Sequence, residues 1–197
     1  MSAAFILYGD SGSGNCLKVK FVADLLDVPY TWKEVDVLAR ATRTPEFLAL
    51  NPAGQVPTVV WADGRVLSQS NAIMLYLAEG SRLIPGDAYA RAQMMQWLFW
   101  EQYSHETAIA VLRFQKLYLK KPDHEIDPGL KPKCEAVLTL MNGHLAKHVY
   151  FVGTALTLAD VALVAYTRFA HEAGFDLAHW PAVKAWVGRI ERDLGLA

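Results

Sequence analysis

Asn51-Pro52-Ala53-Gly54-Gln55-Val56-Pro57-Thr58-Val59-Val60-Trp61, followed by an Asp63-Gly64 turn and then by Gln69-Ser70-Asn71-Ala72-Ile73, is the stretch on which the fold is decided. Pro57 stands where a strand over 58–61 begins, a place where a missing N–H costs no ladder hydrogen bond. An X-Pro bond turns cis for only ~0.5 to 1 kcal/mol, so a sharp turn at Val56-Pro57 leaves the Val56 backbone groups outside the sheet and open to a ligand. Asp63-Gly64 between two short apolar runs predicts a hairpin, with 58–61 and 65–68 antiparallel. Ser70 then sits at the expected N-cap of a helix whose apolar face is Ile73, Met74 and Leu77. Its hydroxyl would satisfy an orphan amide, and the positive end of that helix would attract a carboxylate.

Outward from this stretch, residues 1–80 alternate between the two structural periods. Phe5 to Tyr8 reads as a buried strand, 16–26 as a helix with Val19, Val22, Ala23 and Leu26 on one face, and 30–35 as a second strand. Thr44-Pro45-Glu46 supplies an N-cap, a proline at N1 and a first-turn acid for a short helix carrying Phe47, Leu48 and Leu50. The resulting order, β-α-β-α-β-β-α, is thioredoxin-like. Pro85-Gly86 breaks the pattern, so a linker is expected between an α/β domain over 1–80 and an all-α domain over 88–197. In the second domain a long helix is expected from 90 to about 119, rich in Trp97, Phe99, Trp100, Tyr103, Phe114 and Tyr118 and ended by Lys121-Pro122. Of these, Trp97, Trp100, Tyr103 and Phe114 read first as core. Further helices are expected over 130–149, over 161–171 behind a capping box at Thr157-Leu158-Ala159-Asp160, and from Pro181 with Val183, Trp186 and Ile190 inward.

Composition narrows the function classes. The 197 residues are 53% hydrophobic and carry a formal net charge of -1, with no long basic run, which removes the electrostatic footprint of a nucleic-acid or membrane-surface binder. The N-terminus lacks a signal-peptide pattern and no apolar run approaches the ~20 residues that span a bilayer, so a cytoplasmic location is expected. Two cysteines, Cys16 and Cys134, fit a reducing compartment. No Cys/His cluster has zinc-ligand spacing, and no metal is expected.

The loop Gly9-Asp10-Ser11-Gly12-Ser13-Gly14-Asn15-Cys16 admits two ligand chemistries. A dinucleotide fingerprint would use Gly12, Gly14 and Asp36, but its third glycine position is Leu17 and a hairpin replaces the next parallel unit. The favoured chemistry is a cluster of hydroxyl and amide donors at a helix N-terminus. Such a cluster suits a sulfur anion, because it lowers a thiol pKa from its free value near ~8.5 and so makes a nucleophile at neutral pH.

With these pieces in order, the chain resembles a cytosolic glutathione transferase of the bacterial, serine-type-like kind over essentially its whole length. The resemblance rests on Ser-Gly-Asn-Cys at 13–16, Asn-Pro-x-Gly-x-Val-Pro at 51–57, Gln-Ser-x-Ala-Ile at 69–73 and Thr-x-Ala-Asp at 157–160. It implies a thioredoxin-like glutathione-binding domain, a helical domain with a hydrophobic co-substrate site, a homodimer, a role in detoxification, and glutathione as co-substrate for conjugation to a small hydrophobic electrophile. Within it, Ser13 takes the place of the hydroxyl that donates to the glutathione thiolate, and Asn15 that of an asparagine with the same task. Val56, leading into Pro57, would pair its backbone with the cysteinyl part, Gln55 would approach the glycyl end, and Gln69 and Ser70 would hold the γ-glutamyl amine and carboxylate. Thr42 or Arg43 would reach the same site from the preceding loop.

Other polar residues are weighed against this set. Cys16 falls one position past a mixed-disulfide cysteine, a rotation of ~100° on a helix, and reads as a small buried residue. Tyr8 reads as strand packing, Cys134 as structural, and His105 and Glu106 as surface or inter-domain polar contacts. The resemblance implies that Asp160 is a folding residue capping a buried helix, whose loss would cost ~1 kcal/mol or more. Glutathione-dependent disulfide or peroxide reduction, or a non-catalytic interaction module, are the alternatives to conjugation.

Overall fold

In the computed structural model, which describes residues 4–196, β1 (Phe5–Gly9) turns Phe5 and Leu7 to a fully packed face and Ile6 and Tyr8 to the opposite one. It pairs in parallel with β2 (Tyr30–Glu34), Leu7 opposite Trp32, and antiparallel with β3 (Thr58–Trp61), Leu7 opposite Val59. β4 (Val66–Ser68) completes the order β2-β1-β3-β4 by pairing antiparallel with β3. The parallel pair needs a crossover, which α1 (Gly14–Leu25) provides. α3 (Ser70–Leu77) packs beside α1, and together they bury Phe5, Leu7, Val19, Ala23, Val59 and Ile73 on one face of the sheet. Tyr8, on the other face, meets Phe47 of α2 (Pro45–Leu50) edge-on with ring centroids 6.3 Å apart, which places α2 there. The thioredoxin-like order expected from the sequence is the order observed.

Local chemistry sets the boundaries. Thr44 caps α2 as expected, its side chain accepting from the Phe47 amide. The hairpin connection has three residues, because the Trp61 amide donates to the Arg65 carbonyl at 3.0 Å and Gly64 adopts φ +84°, so β4 begins one residue later than expected. Ser70 is not the N-cap of α3. Gln69 holds that position with φ +73° and ψ +110°, the chain having already turned there, so Ser70 is the first helical residue and its hydroxyl is released for another partner.

Residues 1–81 and 82–197 form two compact units. The second unit opens with α4 (Ala88–Trp100), capped by Asp87 accepting from the Ala90 amide at 2.8 Å. Its helical course continues to Tyr118, but π-type turns over Glu101–Ala110 and Phe114–Tyr118 flank the short α5 (Val111–Arg113). The Thr107 hydroxyl donates to the Tyr103 carbonyl at 2.8 Å, competing for the acceptor an α turn would use. α6 (Leu130–Leu145) stops short of the expected 149, and the His148 imidazole donates from Nδ1 to the His144 carbonyl at 2.9 Å. α7 (Leu158–Thr167) is buried at every position, and α8 (Pro181–Asp193) starts on its proline with Val183, Trp186 and Ile190 inward.

Two expectations for this unit are corrected. His105 is fully buried, with Nε2 2.8 Å from the Thr167 hydroxyl, a polar partner inside the same unit. Tyr103 is 85% exposed and Phe114 lies partly exposed, so neither belongs to the core. Among the described residues no helix is long and apolar enough to cross a membrane.

Candidate functional site

The register of the sheet brings three segments to one end. Thr58 lies opposite both Tyr8 and Ser68, so the loop leaving β1 at Gly9, the turn entering β3 at Val56-Pro57 and the turn leaving β4 at Gln69-Ser70 are neighbours. A Cβ on Gly9 would lie 2.8 Å from the Trp32 ring and 3.2 Å from the Cys16 Cβ.

The loop after β1 is folded by its own polar groups. The Gly12 amide donates to Asp10 Oδ1 at 2.9 Å and the Ser13 amide to the Asp10 carbonyl at 2.9 Å. Glu34 Oε1 takes the Ser11 amide and hydroxyl at 2.9 and 3.1 Å, and Glu34 Oε2 takes the Trp32 indole at 2.6 Å. Partial burial opposes ionisation of Glu34, yet the Ser11 and Trp32 donors hold its carboxyl below the usual carboxylate range. Ser13, half-buried, is thereby set at the N-cap of α1 without its side chain closing the cap.

Cys16 is fully buried beneath this loop. Burial pushes its thiol up to about 12, opposed by hydrogen bonding from the Ser13 hydroxyl and from the Asp10 amide at 3.4 Å. At pH 8 the folded Cys16 side chain is then held as the thiol. Iodoacetamide at pH 8 is therefore expected to leave Cys16 unlabelled in the folded protein and to label it after unfolding, as read by mass spectrometry. Rapid labelling of the folded chain would restore a redox role. Cys134, also buried, has its thiol raised to about 12 by burial as well.

The turn before β3 hangs on Asn51, which is buried. Its Nδ2 donates to the Gln55 carbonyl at 2.8 Å and to the Thr58 hydroxyl at 3.1 Å, while its Oδ1 accepts from the Ala53 amide at 3.1 Å. Gly54 has φ +61° and faces the Thr42 carbonyl and the Arg43 guanidinium, a Cβ there falling 3.0 Å from the former. Arg43 also donates to the Ala53 carbonyl at 3.2 Å, so Thr42 and Arg43 brace this turn. The Val56-Pro57 peptide is cis, and among the described residues no turn or cap bond takes up the Val56 amide or carbonyl. Pro57 is buried, whereas the Gln55 side chain is exposed.

Across the same end, the Ser70 hydroxyl donates to Asn15 Oδ1 at 3.1 Å, and Lys18 Nζ donates to that oxygen at 2.8 Å. The starts of α1 and α3 are thus joined through one carboxamide. Ser13, Asn15, Val56, Gln69 and Ser70 all belong to the segments gathered here, whereas Tyr8 packs on Phe47 with Lys33 Nζ 4.9 Å from its ring centroid. Sequence reasoning passed over Lys18 and Asn51. A lysine at the third position after Asn15, inside an otherwise apolar helix face, was the available signal for the first. Among the described residues no group of three or more His, Cys, Asp or Glu side chains is placed to hold a metal ion.

Comparison with known proteins agrees with this architecture. Residues 12–79 match the model of the glutathione S-transferase N-terminal domain, and residues 104–193 match that of the C-terminal domain. Glutathione S-transferase 3 of Zea mays is 34% identical over 91% of this chain and 86% of its own. The crystal structure of a glutathione S-transferase from Xanthobacter autotrophicus Py2 is 45% identical, covers 95% of this chain and 92% of its own, and superposes with a TM-score of 0.90. One from Pseudomonas fluorescens Pf-5 is 43% identical, covers 95% of this chain and 94% of its own, and has a TM-score of 0.92. The chain therefore belongs to the glutathione S-transferase family, enzymes that use glutathione as co-substrate.

Proposed function

We propose that this transferase binds glutathione at the sheet end described above and conjugates it to small hydrophobic electrophiles. The glutathione thiolate attacks an electrophilic carbon, a C–S bond forms, and the leaving group departs with the electron pair of the bond that breaks. Ser13, Asn15 and the N-terminus of α1 stabilise the sulfur anion. The Val56 amide and carbonyl, left outside the sheet ahead of Pro57, pair with the cysteinyl segment, and Gln55 approaches the glycyl end. Gln69 takes the γ-glutamyl amine. Since the Ser70 hydroxyl donates its hydrogen bond to Asn15 Oδ1, the γ-glutamyl carboxylate falls to the Ser70 amide at the first turn of α3.

The observation that carries this reading is the hydrogen bond from Ser70 to Asn15, which joins two helix N-termini of matching polarity at the place where the Val56 backbone lies outside the sheet. The helical unit supplies the hydrophobic co-substrate site. A homodimer fits the exposure of Phe99 (68%) and Tyr103 (85%), apolar surface that a second copy would cover. A cytoplasmic place and a part in detoxification complete the proposal.

Titration calorimetry with glutathione, followed by assays with an aryl halide and with a mixed disulfide, tests it. Binding at millimolar glutathione or below and turnover of the aryl halide are expected. No binding would sink the reading, and turnover of the disulfide alone would replace conjugation by reduction. The state of Cys16 speaks against a cysteine-based reductase, since its buried thiol stays protonated at neutral pH.

A further inference from the structure

A lysine with no exposed surface is rare, because its ammonium loses hydration that only close partners replace. Lys18 is such a residue, on the buried side of α1, one turn below the loop that presents Ser13. Its Nζ donates at 2.8 Å to Asn15 Oδ1. That contact also fixes which way the carboxamide faces. An ammonium has donors and no acceptor, so the Asn15 atom it touches is the oxygen, and the Ser70 hydroxyl meeting the same atom at 3.1 Å must also be a donor.

We infer that Lys18 is a positioning residue for the candidate site: it holds the Asn15 carboxamide with oxygen inward, so that what Asn15 offers an anionic sulfur is its amino nitrogen. Ser70 adds the second tether and brings the start of α3 under the same control. Without Lys18 the carboxamide gains a second orientation, with its oxygen toward the anion, which repels where the first attracts. The part of this inference concerning glutathione rests on the function proposed above.

The test has two arms. In the ligand-free protein, labelled with nitrogen-15, the Asn15 side-chain amide is expected to give two well-separated proton resonances, which shift or merge in Lys18→Met and move less in Ser70→Ala. Unchanged Asn15 resonances in a folded Lys18→Met protein would overturn the inference whether or not glutathione binds. If Lys18→Met does not fold, Lys18→Gln, which keeps a polar group but removes the ammonium, carries the same arm: shifted or merged Asn15 resonances are expected, and unchanged ones would overturn the inference. In the second arm, Lys18→Met and Asn15→Ala each raise the pKa of the bound thiol and lower kcat ~10-fold with glutathione. The double variant is expected to be no worse than the poorer single one. Independent, multiplying losses would show that Lys18 does not act through Asn15. Failure of the native protein to bind glutathione would remove the proposed function and leave the resonance arm to decide on Lys18.

Discussion

Asp160→Ala is expected to lower the stability of the protein by ~3 to 5 kcal/mol, a larger loss than that of a helix cap alone. The carboxylate has no exposed surface and is used on both oxygens. Oδ1 accepts from the Phe151 amide and from the Trp186 indole, each at 3.0 Å, and Oδ2 accepts from the Thr157 amide and hydroxyl, each at 3.1 Å. Thr157 and Asp160 together make the capping box of α7. Alanine would strand an indole N–H beside the fully buried Trp186 ring and two backbone amides, at ~1 to 3 kcal/mol for each unpaired buried donor, partly recovered by relaxation. Burial pushes the Asp160 carboxyl upward, and the donors from Phe151, Trp186 and Thr157 pull it back. Asp160→Asn keeps the volume but turns an amino group toward two donors, so about half of the alanine loss is expected. Urea denaturation followed by tryptophan fluorescence reads both variants. A loss of ~1 kcal/mol or less for Asp160→Ala would mean that water reaches these donors and that the cluster is not a folding centre.

The same residue shows what a sequence can disclose. Thr157-Leu158-Ala159-Asp160 ahead of an unbroken apolar run is a local signal, and the cap it predicts is present. Its partners Phe151 and Trp186 lie 9 and 26 residues away and carry no local mark, so the size of the effect emerges only in three dimensions. The hairpin of β3 and β4 was equally legible, because Asp63-Gly64 states its own backbone geometry. Ser70 was misplaced by one position, since no residue-type rule anticipates a glutamine at φ +73°. The link from Ser70 to Asn15 spans 55 residues and depends on how α1 and α3 pack. The widened turns after Trp100 escaped for another reason. Apolar spacing marks a helical course but does not distinguish an α turn from a π turn. His105 reads as a surface or inter-domain contact because no partner stands near it in sequence, and only the packing of α7 brings the Thr167 hydroxyl to it inside the unit.

Ser13→Ala is expected to reduce kcat for aryl halide conjugation ~10- to 100-fold at pH 6.5, with glutathione affinity nearly unchanged. In the ligand-free protein the Ser13 hydroxyl serves the neutral thiol of Cys16. A glutathione thiolate is a stronger acceptor, since a charge-assisted hydrogen bond is roughly twice as strong as a neutral one, so the hydroxyl is expected to turn to the ligand on binding. That bond favours the ionised sulfur and lowers its pKa below the free value near ~8.5. Removing the hydroxyl raises the pKa by ~1 to 2 units, each worth ~1.4 kcal/mol. Because the thiolate is the reacting form, the variant loses activity wherever the pH lies below its raised pKa, and the gap closes as the pH rises past ~8.5 and both proteins hold thiolate. The more basic thiolate is also the better nucleophile, which returns part of the loss. Binding is expected to survive because the contacts proposed for Val56 and Ser70 would hold glutathione away from its sulfur. A pH profile of kcat together with ultraviolet titration of the bound thiol checks each step. An unchanged profile would transfer the anion to Asn15 or Tyr8, whereas loss of binding with an unchanged thiol pKa would make Ser13 a contact for the peptide backbone.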